Sequence, residues 1–253
     1  MNIKEEELKI PYQGEKLYGV LYSPEEKRKK SPLIIVSHGF YASHELMKET
    51  SMCLAENGYM TYCFDYRGCS YSRKSGGKLE ESSIQTEIDD LSAVIGYFEQ
   101  RDDIDAEHIY LAGQSMGGVV SALTAAARQD QISGLILMCP AMNMKDTCRQ
   151  YFSDIHAIPD IVENFIGIPG LNLGRVFFDD LFATDFNDMF LYKKPVFLLH
   201  GTADEMVPLS FSEELARKFS RVRFVKVPDA KHDFKLDNVL AKEVIDYLNA
   251  ECC

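Results

Sequence analysis

The sequence predicts an α/β fold with a mostly parallel central sheet, flanking helices and an inserted lid. Three observations carry this prediction. Short apolar runs rich in β-branched residues alternate with longer segments of helical periodicity, the pattern of parallel strands joined by crossover helices. Most of the short runs are continuously apolar, as strands buried on both faces require. One interval, from Ala141 to about Phe190, breaks the alternation while staying long and apolar.

The strands, in chain order, are Leu17 to Tyr22, Leu33 to Val36, Thr61 to Phe64, Ile109 to Ala112, Leu135 to Cys139, Val196 to Leu199 and Arg223 to Val227. Helices are expected from His44 to Asn57, Ser82 to Gln100, Met116 to Arg128, Ser212 to Phe219 and Asn238 to Ala250. In the second of these, Ile84, Ile88, Leu91 and Ile95 form one helical stripe. A structureless stretch as long as 141–190 does not suit a compact domain, so it should hold short helices or a hairpin of its own. The expected organisation is therefore a core of residues 1–140 and 191–253 with a cap at 141–190. Between Tyr151 and Tyr192 there are 9 aromatic residues in 42, against 11% in the whole chain. Two readings stay open: the rings fill the cap's own core, or they line a pocket for an aryl or acyl group.

Composition excludes several partners. With 39 acidic and 27 basic residues in 253, the net charge is −12, which opposes nucleic acid or an anionic membrane surface as the main ligand. The basic run Lys27 to Lys30, between Pro24 and Pro32, reads as a solvated loop. Seven cysteines are scattered without CxxC spacing, which argues against a disulfide framework or a zinc site. No apolar run nears 18 residues and Met1 to Glu7 has no secretory h-region, so a cytoplasmic protein with no membrane span is expected. An aromatic cap left partly exposed would allow a homodimer.

The chemistry is concentrated at Gly113-Gln-Ser115-Met-Gly117, a GxSxG motif set between a β-rich run and an alanine-rich helix. Chance alone puts a bare GxSxG in roughly a tenth of chains this long, so its strand-to-helix setting and its partners carry the weight. A serine hydroxyl is a poor nucleophile at neutral pH and needs a base, itself oriented by a carboxylate. Asp204, in the loop after Val196 to Leu199, and His232, in the loop after the last strand, complete the order serine, acid, histidine. Each sits at the C-terminal end of a strand, where open parallel sheets gather ligands. Glu205, Asp229 and Asp233 adjoin these two but are less well placed. His44, His108 and His156 lie outside any motif, and His200, at a strand end, reads as a residue that orients the acid loop. An oxyanion hole needs two backbone amides already in place. Met116, at a helix N-terminus, and Phe40, in Ser37-His-Gly-Phe40, supply the candidates; a plain strand-ending turn is the alternative for His38-Gly39.

Together these motifs resemble the α/β-hydrolase family across nearly the whole chain. The His38-Gly-Phe40 turn, Asp65-Tyr-Arg-Gly-Cys-Ser70, Gly113 to Gly118, His200-Gly-Thr-Ala-Asp204 and the aromatic cap resemble bacterial cinnamoyl (feruloyl) esterases more narrowly. Cys69 departs from the glycine usual in that loop. The resemblance implies an acyl-enzyme mechanism with Ser115 as nucleophile, Asp204 as acid, His232 as base and the Phe40 and Met116 amides at the oxyanion. It implies no metal or organic cofactor, and a small-molecule hydroxycinnamate ester as substrate. Lid residues do not align one for one, so Asp146, Thr147 and Tyr151 are the candidate polar contacts. A general short-chain carboxylesterase or monoglyceride-type lipase is the alternative. An amide-cleaving oligopeptidase relative lacks the propeller domain expected of one, and a receptor with a silent triad would need no such complete set.

Overall fold

The structure, a computed structural model, describes residues 2–25, 29–152 and 154–252, the last without its side chain. Lys27 and Arg28 of the basic run, and Cys253, therefore lie outside the described residues, while Lys29 and Lys30 are exposed. Eight strands form one sheet in the order β1-β2-β4-β3-β5-β6-β9-β10. They are β1 (Ile3–Tyr12), β2 (Glu15–Pro24), β3 (Ser31–Ser37), β4 (Met60–Phe64), β5 (Ile104–Gln114), β6 (Gly134–Met138), β9 (Val196–Gly201) and β10 (Val222–Val227). β1 and β2 form an antiparallel hairpin and β2 runs antiparallel to β4, while every pairing from β4 to β10 is parallel.

Burial on both faces follows from the continuous apolar runs. Leu33 and Ile35, Ile109 and Leu111, Leu135 and Leu137, and Val196 and Leu198 point to one side. Their neighbours Ile34, Val36, Tyr110, Ala112, Ile136, Met138, Phe197 and Leu199 point to the other, the period-2 alternation of a pleated strand. Helices α2 (Ile84–Glu99) and α3 (Met116–Ala127) cover the first face; α1 (His44–Glu56) and α7 (Asn238–Cys252) cover the second. Helix α6 (Leu209–Lys218) packs beside β9. The stripe expected on α2 faces inward, with Ile84, Leu91 and Ile95 buried and Ile88 partly so. A reciprocal cap starts this helix: Ser83 accepts from the Thr86 amide at 3.2 Å, and the Thr86 hydroxyl accepts from the Ser83 amide at 2.8 Å.

Between β6 and β9 the chain forms α4 (Met144–Tyr151), a two-residue hairpin of β7 (Ile161–Val162) and β8 (Leu173–Gly174), and α5 (Arg175–Ala183). Short helices and a hairpin are the elements expected for this interval. Phe165, Phe177 and Phe178 are buried there and meet mostly edge to face, as ring quadrupoles favour. The five cysteines Cys53, Cys63, Cys69, Cys139 and Cys148 are free thiols.

On α2, Glu87 is buried beside the Cys69 thiol, and burial pushes its carboxyl from an ordinary 4.5 up to about 8. Between those two values the folded chain holds a proton that the unfolded chain has released. Unfolding therefore becomes easier as pH rises through this window. Glu87→Gln, which cannot ionise, should remove that part of the fall. Thermal melts of both proteins from pH 5 to 8 test it, and parallel curves would refute it.

Candidate active site

β5 turns into α3 at Ser115, whose φ of 56° and ψ of −123° lie where a side chain other than glycine is strained. Crowding around the turn explains the flanking glycines. A Cβ on Gly113 would stand 2.2 Å from the Gly117 carbonyl oxygen, and one on Gly117 would stand 2.3 Å from that of His38. Strand neighbours then fix the serine backbone: its amide donates to the Met138 carbonyl at 3.0 Å, and its carbonyl accepts from the Ala141 amide at 3.0 Å. Gly39 closes the remaining side, its Cβ position lying 3.1 Å from Ser115 Cβ and 3.6 Å from Oγ.

Asp204 and His232 meet across two loops. His232 Nδ1 donates to Asp204 Oδ2 at 2.8 Å, while Asp204 Oδ1 accepts from the amides of Met206 and Val207 at 2.9 Å each. The carboxylate side chain is fully buried and the histidine nearly so. His200, expected to orient the acid loop, does so with its own tautomer defined: Nε2 donates to the Val207 carbonyl at 2.9 Å, leaving Nδ1 to accept from the Ser212 hydroxyl at 2.7 Å. Burial lowers the His200 pKa and keeps the ring neutral. Glu205 takes no part in these bonds.

The turn after β3 is held by a histidine that the sequence marks only as part of a motif. His38 is fully buried; Nδ1 donates to the Gly39 carbonyl at 2.7 Å and Nε2 accepts from the Tyr66 amide at 3.3 Å. Burial lowers its pKa too. Phe40 is thus held at the mouth of the site, and among the described residues neither its amide nor that of Met116 has a hydrogen-bond acceptor. Behind the turn, Asp65 accepts from the amide and ring of His44 at 2.8 and 2.9 Å and from the Ser72 hydroxyl. Burial pushes the Asp65 carboxyl up, and these bonds more than offset it.

Ser115, Met116, Phe40 and His232 line one cavity of about 220 Å³. Its other wall comes from the segment between β6 and β9, chiefly Met144, Thr147, Phe165, Phe177 and Leu181. Of the three polar candidates there, Thr147 lies in this wall. Asp146 is one residue round the helix from it and pairs outward with Arg149 at 3.1 Å. Tyr151 is 47% exposed and reaches the cavity only through its edge contact with Phe165. Asn143, which carries no signal in the sequence, lines the cavity and donates to the Met206 carbonyl at 2.9 Å. A larger opening of about 550 Å³ between α2, α3 and α5 contains no serine, histidine or cysteine. Among the described residues, Cys139, Asp204 and His232 could offer a metal three donor atoms within 4.8 Å of one another. Two of them are already engaged with each other, and Cys139 donates to the His232 carbonyl at 3.2 Å.

Sheet order, strand-to-helix serine turn and flanking helices define an α/β hydrolase. A family model described as "Serine aminopeptidase, S33" matches residues 28–167, more than half of the chain, and the chain belongs to that family. Among solved structures it is similar to Est1E from Butyrivibrio proteoclasticus, in a complex with ferulic acid, with a TM-score of 0.86 and 27% identity over 96% of this chain and 98% of that one. Among curated proteins it is 30% identical over 189 residues to YfhR of Salmonella typhimurium, covering 71% of this chain and 56% of the relative. It is 25% identical over 190 residues to the monoglyceride lipase of Rattus norvegicus, covering 75% and 58% respectively. The chain thus spans less than two thirds of the length of these curated relatives. No helix among the described residues is long and apolar enough to cross a membrane.

Proposed function

We propose that the protein is a serine carboxylesterase that hydrolyses hydroxycinnamate esters of the feruloyl or caffeoyl type. The observation that carries this reading is the cavity: a serine held in a strained turn opens into a pocket walled by Phe40, Phe165 and Phe177. In this reading residues 141–190 are the cap, which supplies the aromatic wall. His232 takes the Ser115 proton, Ser115 attacks the ester carbonyl, and the Phe40 and Met116 amides hold the oxyanion. His232 then protonates the leaving alcohol, and water repeats the sequence on the acyl-enzyme.

Cavity size favours a compact acyl group. At about 220 Å³ it falls below the ~300–1,000 Å³ usual for drug-sized ligands, which suits an aryl-propenoyl group better than a long alkyl chain. Est1E, which binds ferulic acid, supports the same reading. The alternative, a short-chain carboxylesterase or monoglyceride-type lipase, has its support in the similarity to the rat lipase. The deciding measurement is kcat/KM on ethyl ferulate against p-nitrophenyl butyrate, with Ser115→Ala as blank. Preference for ferulate, after allowing for the activated nitrophenol, is expected. Turnover of butyrate alone would move the assignment to an aliphatic esterase.

A further inference from the structure

Gln114, the residue between the first glycine and the serine of the GxSxG turn, is 9% exposed and points away from the cavity wall toward the loop after β10. Its Nε2 lies 2.9 Å from the carbonyl oxygen of His232 and 3.4 Å from that of Phe234. Carbonyl oxygens only accept, so the amide nitrogen, not the oxygen, must face them. The Cys139 thiol, at the end of β6, donates to the same His232 carbonyl at 3.2 Å. Among the described residues, these two donors and the Nδ1 bond to Asp204 supply the side-chain hydrogen bonds to His232.

We infer that Gln114 is a positioning residue for the base: by donating to the His232 and Phe234 carbonyls it locks the histidine loop to the same turn that presents Ser115. The inference rests on the esterase reading above. One strand end thereby sets nucleophile and base together, although 117 residues separate them in the chain. A direct bond between the two loops also gives a misplacement of the base a defined cause, and small errors in reacting geometry are costly in rate.

Gln114→Glu tests this through charge. The substituted side chain keeps its shape, but as a carboxylate it sets a third acceptor against two carbonyl oxygens and has no hydrogen to give. Protonated, it again carries one O–H donor. Burial against carbonyls raises the pKa of such a carboxyl above its usual ~4.3, bringing the change into a measurable range. The other titratable groups around it are His232 and Asp233 on the held loop, Asp204 beyond β9 and the Cys139 thiol. All are present in both proteins; a carboxylate at 114 would in addition favour the charged form of His232, which slows the variant toward low pH, opposite to the trend expected from the lost donor.

The experiment compares kcat/KM of wild type and Gln114→Glu on ethyl ferulate and p-nitrophenyl butyrate from pH 5.5 to 8.5, with thermal melts to confirm folding. The wild-type-to-variant ratio is expected to be ~10 to 100 at pH 8.5 and to shrink as pH falls. A flat ratio, or a variant equal to wild type throughout, overturns the inference. Gln114→Met, which has the length of glutamine but no donor, serves if the glutamate variant does not fold. It should lose kcat by ~10-fold or more at every pH with KM nearly unchanged, and unchanged kcat overturns the inference. Both series include Ser115→Ala: hydrolysis surviving in that variant overturns the esterase reading and this inference together. Loss of hydrolysis in Ser115→Ala alongside wild-type activity in the Gln114 variants overturns only this one.

Discussion

Ser115→Ala should lower kcat/KM for ester hydrolysis by ~10⁴-fold or more while leaving the melting temperature nearly unchanged. The two halves of this expectation have separate causes. In the proposed mechanism activity falls because the hydroxyl is the group that would form the acyl-enzyme, and the oxyanion amides alone would retain only the residual catalysis of a preorganised hole. Stability holds because the strained backbone at φ 56° is fixed by the Met138 and Ala141 bonds and by Gly113 and Gly117, none of which the substitution touches. Alanine is no more and no less comfortable there than serine. An organophosphonate should add its mass to wild type and not to the variant. Hydrolysis within 10-fold of wild type would remove Ser115 from the chemistry.

Asp204→Asn is expected to cost about as much, ~10⁴-fold in kcat, through a proton placed on the wrong nitrogen. Asp204 Oδ1 takes two backbone amides, so an asparagine must keep its oxygen there and turn its NH₂ toward His232. His232 Nδ1 would then have to accept, its proton would move to Nε2, and Nε2 could no longer receive the serine proton. His200 cannot substitute, since its Nε2 already donates to the Val207 carbonyl. The two amide bonds survive the exchange, so melting should change little. Activity within 10-fold of wild type would show that another group orients the base.

Much of this arrangement is legible in the chain because it is local. Six buried strands announce themselves as apolar runs, and the GxSxG turn, the acid loop and the histidine loop each carry their signal within a few residues. What escapes does so for physical reasons. β1 goes unread because an edge strand wears charge on its open side: of Ile3–Tyr12, only Ile10 is buried, and Lys4 to Glu7 is an unbroken charged run. Helices α4 and α5 are expected only as unspecified short elements, because their packing is made by rings from distant positions. Within α4, Met144, Thr147 and Cys148 do share the i, i+3, i+4 spacing of one helical face, a spacing that Asp146 does not join and that by itself separates Thr147 from it. His38, Gln114 and Asn143 act on partners 28, 118 and 63 residues away, and no local pattern encodes such meetings.

The bond from Asn143 to the Met206 carbonyl sets a rule for anyone recombining this scaffold. Met206 also donates its amide to Asp204, so the residue just before α4 is stitched, through one residue's backbone, to the carboxylate that holds His232. A chimera that imports a foreign segment from position 144 onward inherits this stitch; one cut at 141 discards it. Two grafts carrying the same new pocket should therefore differ in turnover, and the better crossover point lies just after Asn143.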